Sequence, residues 1–527
     1  MDPARLEVVR HALAGVADEM GAALRHTATS PNIKERADCS AAVFDPAGTM
    51  VAQAEHIPVH LGSMPASVRA ALEAFGGALA PGDQVLLNDP YAGGTHLPDL
   101  TLVAAVGDAH GGLLGYVANR AHHADVGGAA PGSMPAAATD IAMEGLRIPP
   151  VRLVVDGEVR EDLVDLVAAA SRTPWERRGD LRAQLAANHV GARRLREVAA
   201  RTAALGEAMT AVCDYSDRRV RAAIADLPDG TWAREERLEV AGGARLRATL
   251  TVAGDALTVD LAGTDAQVAQ GVNAVRAVTV SAVWFVVRLL TDPHAPPNAG
   301  CYRAVTVRTE PGTLVDARHP APVAAGNVET SQRLADLVHG CFAAADPSRT
   351  PAASQGTMNN VLLGAAGSGA GQDADAGRDA AFSYYETIAG GEGGTPHRPG
   401  GSAIHTGMTN TRNTPVEALE LAYPLRVRRA AVRRGSGGAG HHPGGDGVVR
   451  ELEVLADCTL TLQTERRETG PWGVAGGGPG APGENLLIRR DGSAEPLPAK
   501  GTWTLRAGDR VRVSTPGGGG WGAPPQA

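Results

Sequence analysis

The sequence predicts a mixed α/β (α+β) protein of several subdomains, with a long helical segment near its middle and a β-rich C-terminal half. Three observations carry this. The chain has 527 residues, more than one hydrophobic core organises. Apolar residues recur at helical spacing over residues 3–29 and 160–227, whereas short alternating runs take over after Pro228. The last third alternates strand-like runs with long Gly/Pro stretches such as "IAGGEGGTPHRPGGS". The expected divisions are an N-terminal α/β region, 1–170, that carries the site; a helical segment, 171–227; an α/β subdomain, 228–350; and a β-rich region with Gly-rich loops, 351–527.

In order, Leu6, Val9, Leu13, Val16, Met20 and Leu24 mark one amphipathic helix that Pro31 ends. "CSAAVFD" and "MVAQAEH" flank the turn signal "PAG", so a hairpin is expected, with Asp38 just ahead of its first strand. "HIPVHLGSM" is a loop leading into a helix over 64–75, and "GDQVLLNDP" brings the next strand. Residues 100–106 and 113–120 form paired strands around "GDAHGG". Helix follows over 160–170, then a long stretch over 175–227 that breaks near Gly191 and Gly206, since Gly costs about 1 kcal/mol against Ala in a helix. A meander runs to about 265 and a buried helix covers 272–291. "YRAVTVRTE" is a strand, and Asn327 is placed to cap the helix "VETSQRLADLVHGCFAAA". "GAAGSGAGQDADAGRDAA" reads as a surface loop, and the tail beyond its first strand holds nothing foldable.

Composition narrows the function. Apolar residues make up 43% and aromatics 3% of the chain, and the net charge is −9. A polyanion-binding face needs basic charge, and base stacking needs aromatics, so nucleic acid is not an expected partner. Five scattered cysteines without a CxxC pair suggest neither a disulfide framework nor a thiolate zinc site. The longest apolar run, "AVTVSAVWFVV", is too short to span a bilayer, and the N-terminus does not resemble a signal peptide, so a cytoplasmic protein with no membrane partner is expected. Lysine occurs only at Lys34 and Lys500. There is no P-loop, no GxSxG elbow and scarcely a lysine for Schiff-base chemistry.

The chemistry concentrates around "NDPYAGGTHLPDLTLVAAV". This stretch leaves one strand, crosses a Gly-rich loop with His96 and Asp99, and re-enters another strand. Together with Asp38 and one of His122 or His123 they form an N/O ligand set without sulfur, suited to Zn, Mn or Fe, with open positions for water. Neighbours on an extended chain face opposite ways, so tandem histidines rarely both hold one ion. One is expected as a ligand, with the other supporting it or touching substrate. Asp99 alone could equally cap a turn. Asp125 is a candidate to orient an imidazole. His56 and His60 are loop candidates for acid–base or substrate contact, and Glu144 in "MEGLRIPP" is a possible acid or base. "AGNVETSQR" puts Asn327, Glu329 and Arg333 at a helix N-terminus, which favours an anion. His405, Asn410, Arg412 and Asn413 suit recognition of an amide or ring carbonyl.

These motifs resemble a known family. "ERADCSAAVFDPAGTMVAQAEHIPVHLGSM", "LNDPYAGGTHLPDLTLVAAV", "NRAHHADVGG", "EGLRIPP", "AGNVETSQR" and "HTGMTNTRNTPVE", in order over the whole chain, are similar to the hydantoinase B / oxoprolinase B family. It includes subunits of ATP-dependent hydantoinases, oxoprolinases and caprolactamase, and related subunits of acetone and acetophenone carboxylases. The resemblance implies a hydantoinase A-type ATPase partner that uses ATP to phosphorylate a cyclic amide. It also implies a metal centre in this chain at which water attacks the activated carbon. Its Asp, HxxD, His pattern falls on Asp38, His96, Asp99 and His122, with His123 as the neighbouring choice. His60, Asp125 and Glu144 become secondary acid–base or orienting groups, and Arg333 and His405 substrate or phosphate contacts. Gly407 stands where the family often has a second histidine; if that histidine touches substrate, the substrate here differs from the hydantoin type. The rivals are a ketone carboxylase subunit and a non-catalytic scaffold for the ATPase.

Overall fold

A computed structural model describes residues 1–54, 57–76, 79–366 and 381–525. His56 and most of the low-complexity stretch "GAAGSGAGQDADAGRDAA" lie outside the described residues. The architecture is mixed α/β with four sheets among the described residues.

The N-terminal sheet has seven strands, β1 (Cys39–Phe44), β2 (Met50–Ala54), β3 (Gln84–Leu87), β4 (Asp99–Gly107), β5 (Leu113–His122), β6 (Val151–Val155) and β7 (Glu158–Val159), in the order β2-β1-β5-β4-β3-β6-β7. Every neighbouring pair is antiparallel. Both faces are covered, which is why β1 and β4 are buried at every position rather than alternating. The helix His60–Ala74 lies on one face, and the helices Pro3–Thr27 and Pro174–Arg201 on the other. The first helix has Asp2 as its N-cap, and its apolar stripe, Leu6 to Leu24, is buried as its spacing required.

The long helical stretch breaks close to Gly206, as expected, but runs unbroken through Gly191. It forms two helices, Pro174–Arg201 and Leu205–Ala225, joined through Ala204 at φ 53°. Gly191 lies inside the first of them, where an added Cβ would meet the Met20 sulfur at 2.3 Å. Its lack of a side chain serves helix–helix packing, which offsets its poor helix propensity.

Strands Gly230–Leu238, Ala244–Ala253 and Ala256–Asp260 form the expected meander, and Val305–Arg308 adds in parallel. The expected cap at Asn327 is not there. A π-turn, Gly326–Thr330, leads directly into the helix Ser331–Ala345. Asn327 sits inside that turn with Oδ1 buried and without a partner among the described residues.

The C-terminal region packs a four-stranded sheet against a five-stranded one over Leu363, Leu460, Leu462, Leu452, Leu487 and Val511. The Gly-rich stretches are loops, as expected, and they pack on one another and on the closing glycine run 517–520, which is buried. Gly518 donates to the Gly445 carbonyl at 2.9 Å and accepts from Gly438 at 2.8 Å, while Gly520 donates to Gly478 at 2.8 Å. A Cβ on Gly518 would lie 2.0 Å from the Glu392 carbonyl oxygen. Backbone packs on backbone at distances only glycine permits, so the tail through Gly522 is part of the fold.

Candidate metal centre

Register brings the site together. Asp99 opens β4 and His122 closes β5, and the two residues pair directly across the ladder. On the other side of β5, Cys39 pairs with Ala121, so the Asp38 carbonyl accepts the His122 amide at 3.1 Å. Three strand ends therefore meet at one edge. His96 enters from the β3–β4 loop, which Asn88 pins: its amide nitrogen reaches the Leu97 and Leu146 carbonyls at 2.7 and 2.9 Å.

The side chains of His96, Asp99 and His122 are all buried, and each offers one ligand atom within 4.8 Å of the others. His96 Nε2 and His122 Nδ1 are 3.1 Å apart, His122 Nδ1 and Asp99 Oδ1 3.1 Å, and His96 Nε2 and Asp99 Oδ1 3.3 Å. Cation bonds of ~2.1 Å produce donor–donor edges of roughly 3.0–3.4 Å in octahedral or tetrahedral sites, so the triangle fits a divalent ion. The protons fit as well. His96 Nδ1 lies 3.3 Å from the Ala324 carbonyl, which can only accept, so Nε2 presents a lone pair. A single proton on His122 Nδ1 cannot serve both His96 Nε2 and Asp99 Oδ1, whereas a cation satisfies all three.

Burial by itself would raise the Asp99 carboxyl, but the imidazoles of His96, His122 and His60 outweigh it and hold the group well below the usual range. Thr95 Oγ1 donates to Asp99 Oδ2. His60, at the start of its helix, has Nδ1 2.9 Å from Ser40 Oγ and Nε2 3.5 Å from Asp99 Oδ2. Burial, opposed by Asp99, lowers its pKa and keeps the ring neutral. With both nitrogens engaged, His60 is placed to orient Asp99.

The remaining sequence candidates separate. Asp38 adjoins the triad and follows Ala37, held at φ 56°, but its carboxylate is not part of the three-donor cluster. His123 is not brought to the three-donor cluster. It points to the opposite face, with Nε2 3.0 Å from Gln184 Oε1, and burial with nearby Arg177 lowers its pKa to about 4. Alternation along β5 dictates this. Asp125 does not orient an imidazole. It accepts from the Gly127 and Gly132 amides at 2.9 and 3.1 Å and from Arg172 Nη1 at 2.8 Å, closing a turn. Glu144 Oε1 accepts from the Val323 and Ala324 amides at 2.8 and 2.9 Å, holding the segment whose carbonyl orients His96. Burial pushes that carboxyl up to about 8, only partly opposed by the two amides. Arg333 is bound to Glu236 Oε2 at 2.7 Å and the Arg237 carbonyl at 2.8 Å, and none of its hydrogen bonds reaches a triad residue. His405 lines adjoining grooves of about 540 and 400 Å³ that share Phe285, Leu289, Thr406 and Gly407.

Two neighbours escaped sequence reasoning. Tyr385 stacks on His122 (centroids 4.8 Å, 26°) and donates to Asn360 Oδ1 at 2.8 Å. The Arg36 guanidinium lies 4.5 Å over the same ring and donates to the Tyr385 carbonyl at 2.7 Å. Nothing local to "FSYYE" signals this role. Thr95 was legible in principle, since it sits beside His96 and four residues before Asp99.

Comparison with known proteins agrees with this architecture. The family model described as hydantoinase B/oxoprolinase matches residues 2–524. The 5-oxoprolinase of Saccharomyces cerevisiae is 36% identical over 99% of this chain, which spans 42% of that longer protein. The crystal structure of the ATP-dependent caprolactamase from Pseudomonas jessenii superposes with a TM-score of 0.90 at 31% identity, covering 99% of this chain and 91% of that one. A nucleotide-free acetone carboxylase chain shares the fold, at TM-score 0.90 and 19% identity over 99% of this chain and 76% of that one. With the family model spanning residues 2–524 and the fold matching over almost the full length, the chain belongs to the hydantoinase B/oxoprolinase family.

Proposed function

We propose that this chain is the metal-dependent subunit of an ATP-dependent cyclic-amide hydrolase, acting with a partner subunit that phosphorylates the substrate. The observation that carries the reading is the buried triangle of His96 Nε2, Asp99 Oδ1 and His122 Nδ1, with edges of 3.1 to 3.3 Å. Asp38, next to His122, is the proposed fourth ligand. A divalent Zn, Mn or Fe ion bound there would acidify water toward neutral pH and polarise a carbonyl oxygen.

This chain's residues do the rest. Asp99 supplies negative charge where burial would otherwise forbid it, and His60 and Thr95 fix the direction of its lone pairs. His96 is held in one tautomer by the Ala324 carbonyl, and Glu144 holds that carbonyl's segment in place. Tyr385 seals one face of the His122 ring against water. The grooves beside His405, with Phe285 and Leu289 in their walls, are the proposed approach for a cyclic amide with an apolar body. The 5-oxoprolinase and caprolactamase relatives support ring-amide hydrolysis over ketone carboxylation.

The test is direct. The purified chain is analysed for bound transition metal. It is then combined with a co-expressed hydantoinase A-type partner and assayed with ATP on 5-oxoproline, hydantoin and caprolactam. Expected are about one metal ion per chain and ATP-dependent ring opening that Asp99→Asn abolishes. Turnover of a ketone that requires bicarbonate would replace the reading with a carboxylase. Absence of metal together with full activity of His96→Ala would replace it with a scaffold.

A further inference from the structure

The loop that presents His96 also lines a second cleft, of about 480 Å³, to which no triad residue contributes. Pro90, Tyr91 and Gly93 form one wall, and residues 275–277, Val280 and Trp284 another. Three arginines, Arg69, Arg276 and Arg318, open into it, and all three are exposed. Among the described residues none of them has a carboxylate within 4.0 Å. Their recorded side-chain bonding is slight: Arg276 Nη2 lies 3.4 Å from the Val307 carbonyl. Among the described residues the single carboxylate in the lining is Asp316, which accepts from Thr309 Oγ1 at 2.6 Å. Three like charges in one concave site repel one another, and screening by solvent reduces the repulsion without removing it.

Two further features give the cleft a direction. Arg276 is the first residue of the 16-residue helix Arg276–Thr291, whose N-cap Val275 makes no side-chain hydrogen bond to the first-turn amides. Helix N-termini and guanidinium forks both match the oxygens of a tetrahedral oxyanion. The walls are also partly apolar, through Val280, Trp284 and Pro311, and Tyr91 stands edge-on to His319 at 5.5 Å.

We propose that this cleft binds a phosphate-bearing small anion, the guanidiniums and helix start taking the phosphate and the apolar wall the organic part. The proposal does not depend on the hydrolase reading, because none of its residues belongs to the candidate metal centre. Its tie to that centre is the shared loop: Pro90–Gly93 shape the cleft, and the same loop delivers His96. Tyr91 is additionally hydrogen-bonded to the Ala321 carbonyl, three residues from the Ala324 carbonyl that orients His96.

The test is calorimetric titration of the full chain with inorganic phosphate and with phenyl phosphate, in phosphate-free buffer with chelator present. The expected result is saturable binding at one site, with phenyl phosphate the tighter ligand. Replacing Arg69, Arg276 and Arg318 together by Gln is expected to weaken both ligands at least about tenfold. Asp99→Asn is expected to leave both unchanged. The single variants Arg69→Gln and Arg318→Gln, each expected to weaken binding several-fold, serve if the triple variant does not fold. No saturable heat for either ligand up to about 10 mM overturns the proposal. So does unaltered binding by the arginine variants, or binding lost in Asp99→Asn, which would put the anion at the triad. Tighter binding of hexaglutamate than of either phosphate would overturn it in favour of an acidic polypeptide.

Discussion

Glu144 offers the sharpest prediction, because two substitutions there separate hydrogen-bond acceptance from charge. Its Oε1 receives the Val323 and Ala324 amides, its Oε2 has no partner among the described residues, and burial pushes the carboxyl up to about 8. In the unfolded chain the same carboxyl titrates near ~4.3. Between those values the folded state holds a proton that the unfolded state has released, so stability falls as pH rises. The contribution is fully present below about pH 4.3 and lost progressively up to about pH 8. At about 1.4 kcal/mol per pH unit, the wild type has lost roughly 3.6 kcal/mol by pH 7.

Glu144→Gln keeps the acceptor and has nothing to ionise. It is therefore expected to be more stable than wild type at pH 7, with the difference widening by about 1.4 kcal/mol per unit from pH 6 to 8. Glu144→Ala abandons two buried amides, at about 1–3 kcal/mol each, and frees the Ala324 carbonyl that orients His96. Its metal affinity should fall about 10–100-fold, as for the loss of other groups that hold a ligand in place, while Gln retains it. The assays are urea unfolding midpoints at pH 6, 7 and 8, and metal affinity by chelator competition. A Gln-to-wild-type gap that does not change with pH would show the carboxylate ionised in the fold. Equal loss of metal in Gln and Ala would refute the positioning role.

Other outcomes follow from the same geometry. Asp99→Asn removes the anion of the triangle and should weaken metal binding at least about a hundredfold, at the low end of the energy of a buried charge pair. His123→Asn, on the opposite face, should leave metal content unchanged, and equilibrium dialysis of the two variants side by side decides between them. Gly518→Ala forces a Cβ to within 2.0 Å of a backbone oxygen and should destabilise the C-terminal region by about 3 kcal/mol or more. Gly206→Ala, with nothing within 4 Å, should stabilise its helix by up to about 1 kcal/mol; thermal melts showing the same sign for both would contradict the packing described for the Gly-rich stretches. Tyr385→Phe keeps the ring on His122 but drops the bond to Asn360, so metal affinity should hold while the melting temperature falls by a few degrees.

Much of the outline was legible without coordinates. Alternating runs and Gly/Pro punctuation marked the strands, the 3.6-residue spacing of Leu6 to Leu24 marked the first helix, and HxxD at His96 and Asp99 marked the candidate site. These are local properties, written in a dozen consecutive residues. Ambiguity began where one residue mattered. His122 and His123 are chemically identical neighbours, and only the pairing of Asp99 with His122 across β4 and β5 decides which faces the triad, because a slip of one residue turns every side chain to the other face. Glu144 and Arg333 had plausible motifs, yet their partners lie more than ninety residues away and turn both toward structural duty. The Gly-rich stretches read as loops, but nothing in a run of glycines states what it packs against. Their order comes from one another's backbones, through contacts that exist only once the chain has closed on itself.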